Sequence, residues 1–181
     1  MKVSPTDIPG VMVIEPVVYQ DQRGFFMETW HADKFREAGL DRTFVQDNHS
    51  GSARNALRGL HYQLGRPQVK LVRVVAGEIF DVAVDLRRSS PTFGRWTGVM
   101  LSAENRLQLW VPEGFAHGYY VVSEWAEVIY KCTDVHVPEE ERTLRWDDPD
   151  IGIGWPLGAG PPIVSAKDAQ GLAFTAAPTF P

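Results

Sequence analysis

The chain has one cysteine, Cys132, among 181 residues, so no disulfide framework is open to it and a reducing compartment suits it. It has no apolar run long enough to span a membrane and no hydrophobic leader, so a cytoplasmic protein is expected. It has no basic run, and its net charge of -5 argues against general nucleic-acid binding. There is no internal repeat, low-complexity tract or linker, and the length suits one domain, 1–181. Neither a Gly-x-Ser-x-Gly elbow nor a phosphate-cradling glycine loop is present. The histidines (His31, His49, His61, His117, His136) are scattered, whereas a metal needs three or four converging ligands. A bound catalytic metal is not expected from these residues.

What the chain does have is punctuation. Its 16 glycines and 13 prolines are spread along its length and divide it into many short segments. Extended segments are expected at 11–19 (broken by Pro16), 25–30 and 44–50, with a loop at 51–56. Further strands follow at about 70–76, 78–86, 95–101, 107–111, 117–122, 126–133 and 143–146. One short helix is expected over 31–38, stopped by Gly39. Residues 81–86 alternate polar and apolar, which puts Asp81 and Asp85 on one face and the valines on the other. This pattern indicates an all-β, antiparallel sandwich or barrel. The tail over 158–181 is irregular and rich in Ala, Gly and Pro.

The stretch Arg58-Gly59-Leu60-His61-Tyr62-Gln63 carries the clearest chemical signal. On a regular strand His61 and Gln63 would face one way, and Arg58, Leu60 and Tyr62 the other. A histidine near Arg58 and Lys70 is disfavoured from taking a proton and so suits a general base. Each candidate also has an ordinary reading. His61 could be a surface residue of an edge strand, His117 a satisfied core histidine and Tyr130 part of the core. Lys70 could be a solvated strand end and Asp168 a turn residue. Cys132 reads as inert packing.

Taken together, the segments resemble a known family. They run in order through Asp21–Glu28 (DQRGFFME), Gln46-Asp47-Asn48-His49-Ser50, Leu57–Gln63 (LRGLHYQ) and Lys70-Leu71-Val72-Arg73-Val74. They continue through 77–87, 90–94, Pro112-Glu113-Gly114-Phe115-Ala116-His117-Gly118, Tyr130-Lys131 and Ser165-Ala166-Lys167-Asp168. The series is similar to the dTDP-4-dehydrorhamnose 3,5-epimerases from about residue 7 to 170. That resemblance implies a metal-free, cupin-type jelly roll and a homodimer whose N-terminal strands, 1–30, are exchanged between subunits. It implies a dTDP-linked 4-keto-6-deoxyhexose substrate and no cofactor. By resemblance His61 is the base, Asp168 orients it, Lys70 stabilises an enolate oxygen and Tyr130 supplies a proton. Arg23, Arg58 and Lys167 match diphosphate-side positions, with Phe26 beside them in the substrate set. Glu28, Gln46, Asn48 and Glu141 match nucleoside-side positions, and His117 a sugar-side one. Arg23 and Glu28 are expected to reach the neighbouring subunit's site.

Three departures stand out. His136 occupies a place where the family usually has Tyr or Phe stacked on thymine, so imidazole offers less area there. The 64–69 connection is about one residue short. Tyr119 stands where Phe is commoner, and its hydroxyl needs a partner if buried. Three alternatives stay open at this stage: a single-site (3- or 5-) epimerase of a secondary-metabolite pathway, a metal-dependent cupin enzyme and a non-catalytic sugar-nucleotide binder.

Overall fold

The computed structural model describes all 181 residues. Thirteen strands and one short α-helix follow the punctuation closely. The strands are β1 (Lys2–Pro5), β2 (Met12–Glu15), β3 (Val18–Asp21), β4 (Gly24–Met27), β5 (Gln46–Ala53), β6 (Leu57–Gln63) and β7 (Lys70–Ala76). The rest are β8 (Glu78–Asp85), β9 (Trp96–Ser102), β10 (Gln108–Val111), β11 (Phe115–Val121), β12 (Trp125–Cys132) and β13 (Glu141–Thr143). Three expectations change, the smallest being the strand expected over 143–146, which lies two residues earlier at Glu141–Thr143, where it pairs with β6. The segment beginning at 44 continues as β5 through Ala53, because it pairs residue for residue with β12 and leaves only a short turn before β6. The strand expected over 25–30 ends at Met27.

Six strands form one sheet, in the order β1-β2-β10-β7-β12-β5, and five form another, β13-β6-β11-β8-β9. Every pairing is antiparallel, as an all-β jelly roll requires. Between the sheets lies an apolar layer that includes Val72, Val74, Leu109, Val128, Ala83 and Val121.

The outer faces are covered too, by different parts of the chain. Helix α1 (Ala32–Glu37) turns Phe35 onto Trp110, which packs with Ile14 and Leu71 of the six-stranded sheet. Gly39 takes a left-handed φ of +79° just past the helix, where a glycine stops it most easily. The irregular segment after β13 lies over the five-stranded sheet. Its Ile151, Trp155, Phe174, Ala177 and Phe180 pack with Leu60, Tyr62, Val82, Val84 and Leu86. It is tied down by backbone bonds, among them Phe180 N–H to Leu86 and Leu172 N–H to Thr143.

Strand β8 therefore has no solvent face. Its valines meet the C-terminal segment, and Asp81 and Asp85 are both fully buried on the opposite side. Asp85 accepts hydrogen bonds from Arg87 Nε (2.9 Å), Ser90 Oγ (2.6 Å) and Thr92 Oγ1 (2.7 Å). Burial alone would push this carboxyl up, but Arg87, Ser90 and Thr92 outweigh it and hold the pKa at about 2. The folded value lies below the unfolded one of roughly 3.9, so the stabilisation is present above about pH 4 and fades as the pH falls toward 2. Asp85→Asn is expected to cost about 2–4 kcal/mol in urea unfolding at neutral pH. The gap to the parent protein should narrow when the titration is repeated near pH 3.

Strands β3 and β4 pair only with each other. This hairpin carries three exposed aromatics, Tyr19, Phe25 and Phe26. Arg106 lies 4.2 Å from the centre of the Phe25 ring.

Candidate active site

The two sheets converge on a cavity of about 400 Å³. His61 comes from β6 in the five-stranded sheet. Lys70 and Tyr130 come from β7 and β12 in the six-stranded sheet. Cross-strand register explains the grouping. Cys132 pairs with Lys70 on one side and Gln46 on the other, and Tyr130 pairs with Asn48. All five line the cavity.

Asp168 arrives from the C-terminal segment, at the start of a single 3-10 turn (Asp168–Gln170). It is 4% exposed. Its Oδ1 lies 2.6 Å from His61 Nε2, and its Oδ2 accepts the Gly59 backbone N–H at 3.2 Å. Burial pushes the Asp168 carboxyl up, but the hydrogen bond and charge of His61, with Gly59 and Ser165, outweigh it and hold it below the usual range. A carboxylate on Nε2 leaves Nδ1 of His61 free to take a proton.

The electrostatics of the other two groups differ. Burial pushes the Tyr130 hydroxyl up to about 12, so it keeps its proton throughout the neutral range. Burial pushes the Lys70 ammonium down, while Cys132, Glu141 and Asp81 pull part of the way back. Lys70 is thus a stronger acid than a free lysine.

The far end of the cavity is amide-rich. Gln46 Nε2 donates to Asn48 Oδ1 (3.0 Å), and the His136 backbone N–H donates to Gln46 Oε1 (2.8 Å). Glu141 joins His136 Nε2 (3.1 Å) and the Lys167 ammonium. Burial alone would raise the Glu141 carboxyl, but Lys167 and His136 hold it down. Gln63 is spent on the backbone: its amide nitrogen donates to Arg66 and Val135 carbonyls, and its oxygen accepts the Val137 N–H. That fixes the segment carrying His136.

Arg58 corrects the regular-strand expectation. The pairing of β11 with β6 shifts register between His117 and Tyr119, and Gly59 has a φ of +117°. The Arg58 side chain consequently reaches Ser52 Oγ of β5 (2.9 Å) and shares an adjoining cavity with His61, Lys70, His117 and Tyr130. A Cβ on Gly59 would sit 2.6 Å from Gly118 Cα and 2.8 Å from the His117 carbonyl oxygen. Gly59→Ala is expected to cost about 2–3 kcal/mol in thermal or urea unfolding. Proton exchange should fall with it, because the same peptide holds Asp168.

Three predicted residues lie elsewhere in the chain. Arg23 chelates Asp21 (2.6 Å) at the hairpin tip, Phe26 is 69% exposed and Glu28 pairs with Lys34 (2.7 Å). The Tyr119 hydroxyl finds Ser50 Oγ at 2.8 Å, which settles its need for a partner. The short 64–69 connection leaves Lys70 on the cavity wall. Sequence reading missed Gln68, Ser50 and Asp81, and took Cys132 for packing although it lines the cavity. The spacing of Tyr130 and Cys132, two apart on one strand, was the available signal for the last.

The dTDP-4-dehydrorhamnose 3,5-epimerase profile matches residues 5–176. The chain belongs to that family. A Pseudomonas aeruginosa protein named dTDP-4-dehydrorhamnose 3,5-epimerase is 56% identical over 182 residues, covering 100% of both chains. A Neisseria gonorrhoeae protein of the same name is 56% identical over 177 residues, and there the match spans 98% of this chain and 54% of the relative. A crystal structure of the Legionella pneumophila epimerase in complex with dTDP-4-keto-L-rhamnose superposes with a TM-score of 0.94 at 49% identity, covering 97% of this chain and 93% of that one. This epimerase is accordingly an isomerase with the family's cupin-type fold.

Proposed function

We propose that the protein inverts carbons 3 and 5 of dTDP-4-dehydro-6-deoxy-D-glucose to give dTDP-4-dehydro-L-rhamnose. The observation that carries this is His61, backed by Asp168, lining one cavity with Lys70 and Tyr130. The keto group at carbon 4 acidifies the protons on its neighbours. His61 Nδ1 takes one of them, and Asp168 stabilises the imidazolium that forms. The electron pair moves onto the carbon 4 oxygen, where the Lys70 ammonium meets the developing charge. Tyr130 then returns a proton to the carbon from the opposite face, and solvent restores both groups. The same cycle acts at the second carbon.

Arg58 and Lys167 are assigned to the diphosphate, where guanidinium and ammonium donors suit phosphate oxygens. Gln46, Asn48, His136 and Glu141 are assigned to the nucleoside end and His117 to the sugar. The enzyme works as a homodimer in the cytoplasm, with Arg23, Phe26 and Glu28 serving the neighbouring subunit. The exposed aromatics of the unpaired β3–β4 hairpin support that reading, since such a surface calls for a cover.

NMR of the purified protein with this substrate in deuterated water tests the assignment. Deuterium at both carbons, with the L-sugar formed, is the expected result. Deuterium at one carbon would make it a single-site epimerase, and none would overturn the proposal.

A further inference from the structure

Beneath the catalytic cavity lies a second histidine–carboxylate pair. On β11 and β8, His117 pairs with Ala83 and Tyr119 with Asp81, so His117 is the diagonal neighbour of Asp81 on the inner face. His117 Nε2 lies 2.7 Å from Asp81 Oδ1. His117 is 6% exposed and Asp81 0%. The small Ala83 leaves room for the ring between them.

Two features set this pair apart from ordinary core polarity. First, Asp81 Oδ2 is buried with no hydrogen-bond partner, a cost that a purely structural pair would normally avoid. An apolar pair of similar size would hold the sheet as well or better. Second, His117 lies directly across from His61 in the strand register and lines two cavities shared with His61 and Lys70. With Nε2 committed to Asp81, its Nδ1 has no partner within the chain.

We propose that Asp81 is a positioning residue that fixes the His117 ring so that Nδ1 meets an oxygen of the bound sugar. The inference rests on the epimerase reading above and adds Asp81 to it. Asp81 never touches the substrate. It sets the tautomer and angle of His117, as a carboxylate behind a histidine does in other sites. His117 in turn holds the sugar ring at the depth where His61 and Tyr130 can reach opposite faces of the same carbon. A ring held loosely loses reactive alignment before it loses affinity, because the nucleotide is gripped elsewhere.

Asp81→Asn and His117→Gln test this alongside the parent protein. Each is expected to lower kcat for deuterium exchange about 10–100-fold. The dTDP dissociation constant should stay within about twofold, because dTDP lacks the hexose that His117 would hold. A variant with full kcat overturns the inference. So does one whose dTDP affinity falls in step with its activity, which would mean a structural role. Parent protein without exchange would instead fail the underlying functional reading. A measurement on the parent protein needs no variant to fold. In ¹⁵N-histidine NMR, the His117 Nδ1 resonance should move on adding dTDP-glucose but not on adding dTDP. An unmoved resonance would likewise overturn the inference.

Discussion

His61→Asn lowers turnover about 10²–10⁴-fold, which corresponds to roughly 3–5 kcal/mol of transition-state stabilisation. The asparagine fills similar space and can still meet Asp168, but it has no basic nitrogen at neutral pH. The effect should fall on kcat, since the amide-rich end of the cavity that includes Gln46 and Asn48 is untouched. Single-turnover exchange in deuterated water, paired with calorimetric titration of dTDP, separates the two quantities. Equal losses of affinity and rate would mean that His61 binds and does not take the proton.

Tyr130→Phe separates two events that the parent enzyme couples. Without the hydroxyl, the proton lifted by His61 can only return from the side it left. Product of inverted configuration should fall about 10²–10⁴-fold. Deuterium wash-in with retained configuration should continue at a measurable rate, because His61, Asp168 and Lys70 remain. Loss of exchange together with inversion would place Tyr130 in proton removal instead. Packing does not cloud the comparison, since phenylalanine keeps the ring against the first core layer.

Much of this molecule was legible in its sequence, and the gaps have physical causes. Strand positions were legible because glycine and proline interrupt the chain wherever it turns. Burial was not, because period-two alternation distinguishes the two faces of a strand and cannot say whether either meets water. Asp81 and Asp85 are the clearest instance: the face was assigned correctly, yet both carboxylates sit in the interior. The orientation of Arg58 was missed for a different reason. A register shift one strand away at His117 and Tyr119 leaves no mark in residues 57–63 beyond the glycine itself. The His61–Asp168 pair was out of reach of spacing altogether. His61 and Asp168 are 107 residues apart, and only the family resemblance joined them before the fold did. Lys70 and Tyr130 were each ambiguous alone for the same reason.

The segment that carries Asp168 also has a bearing on timing. It reaches His61 between two stretches, Ile151 and Trp155 before it and Phe174, Ala177 and Phe180 after it, that settle on the outer face of the five-stranded sheet against strands made earlier. During synthesis, at roughly 5–20 residues per second, the sheets can pair while this segment is still inside the ribosome. Over that interval the nascent chain has its barrel, its histidine and its tyrosine, but the imidazole lacks the carboxylate that orients it. On the proposed mechanism, chemistry therefore begins as one of the last events of maturation. A chain stalled before Asp168 would carry His61 without its carboxylate and the five-stranded sheet without the cover of Phe174, Ala177 and Phe180.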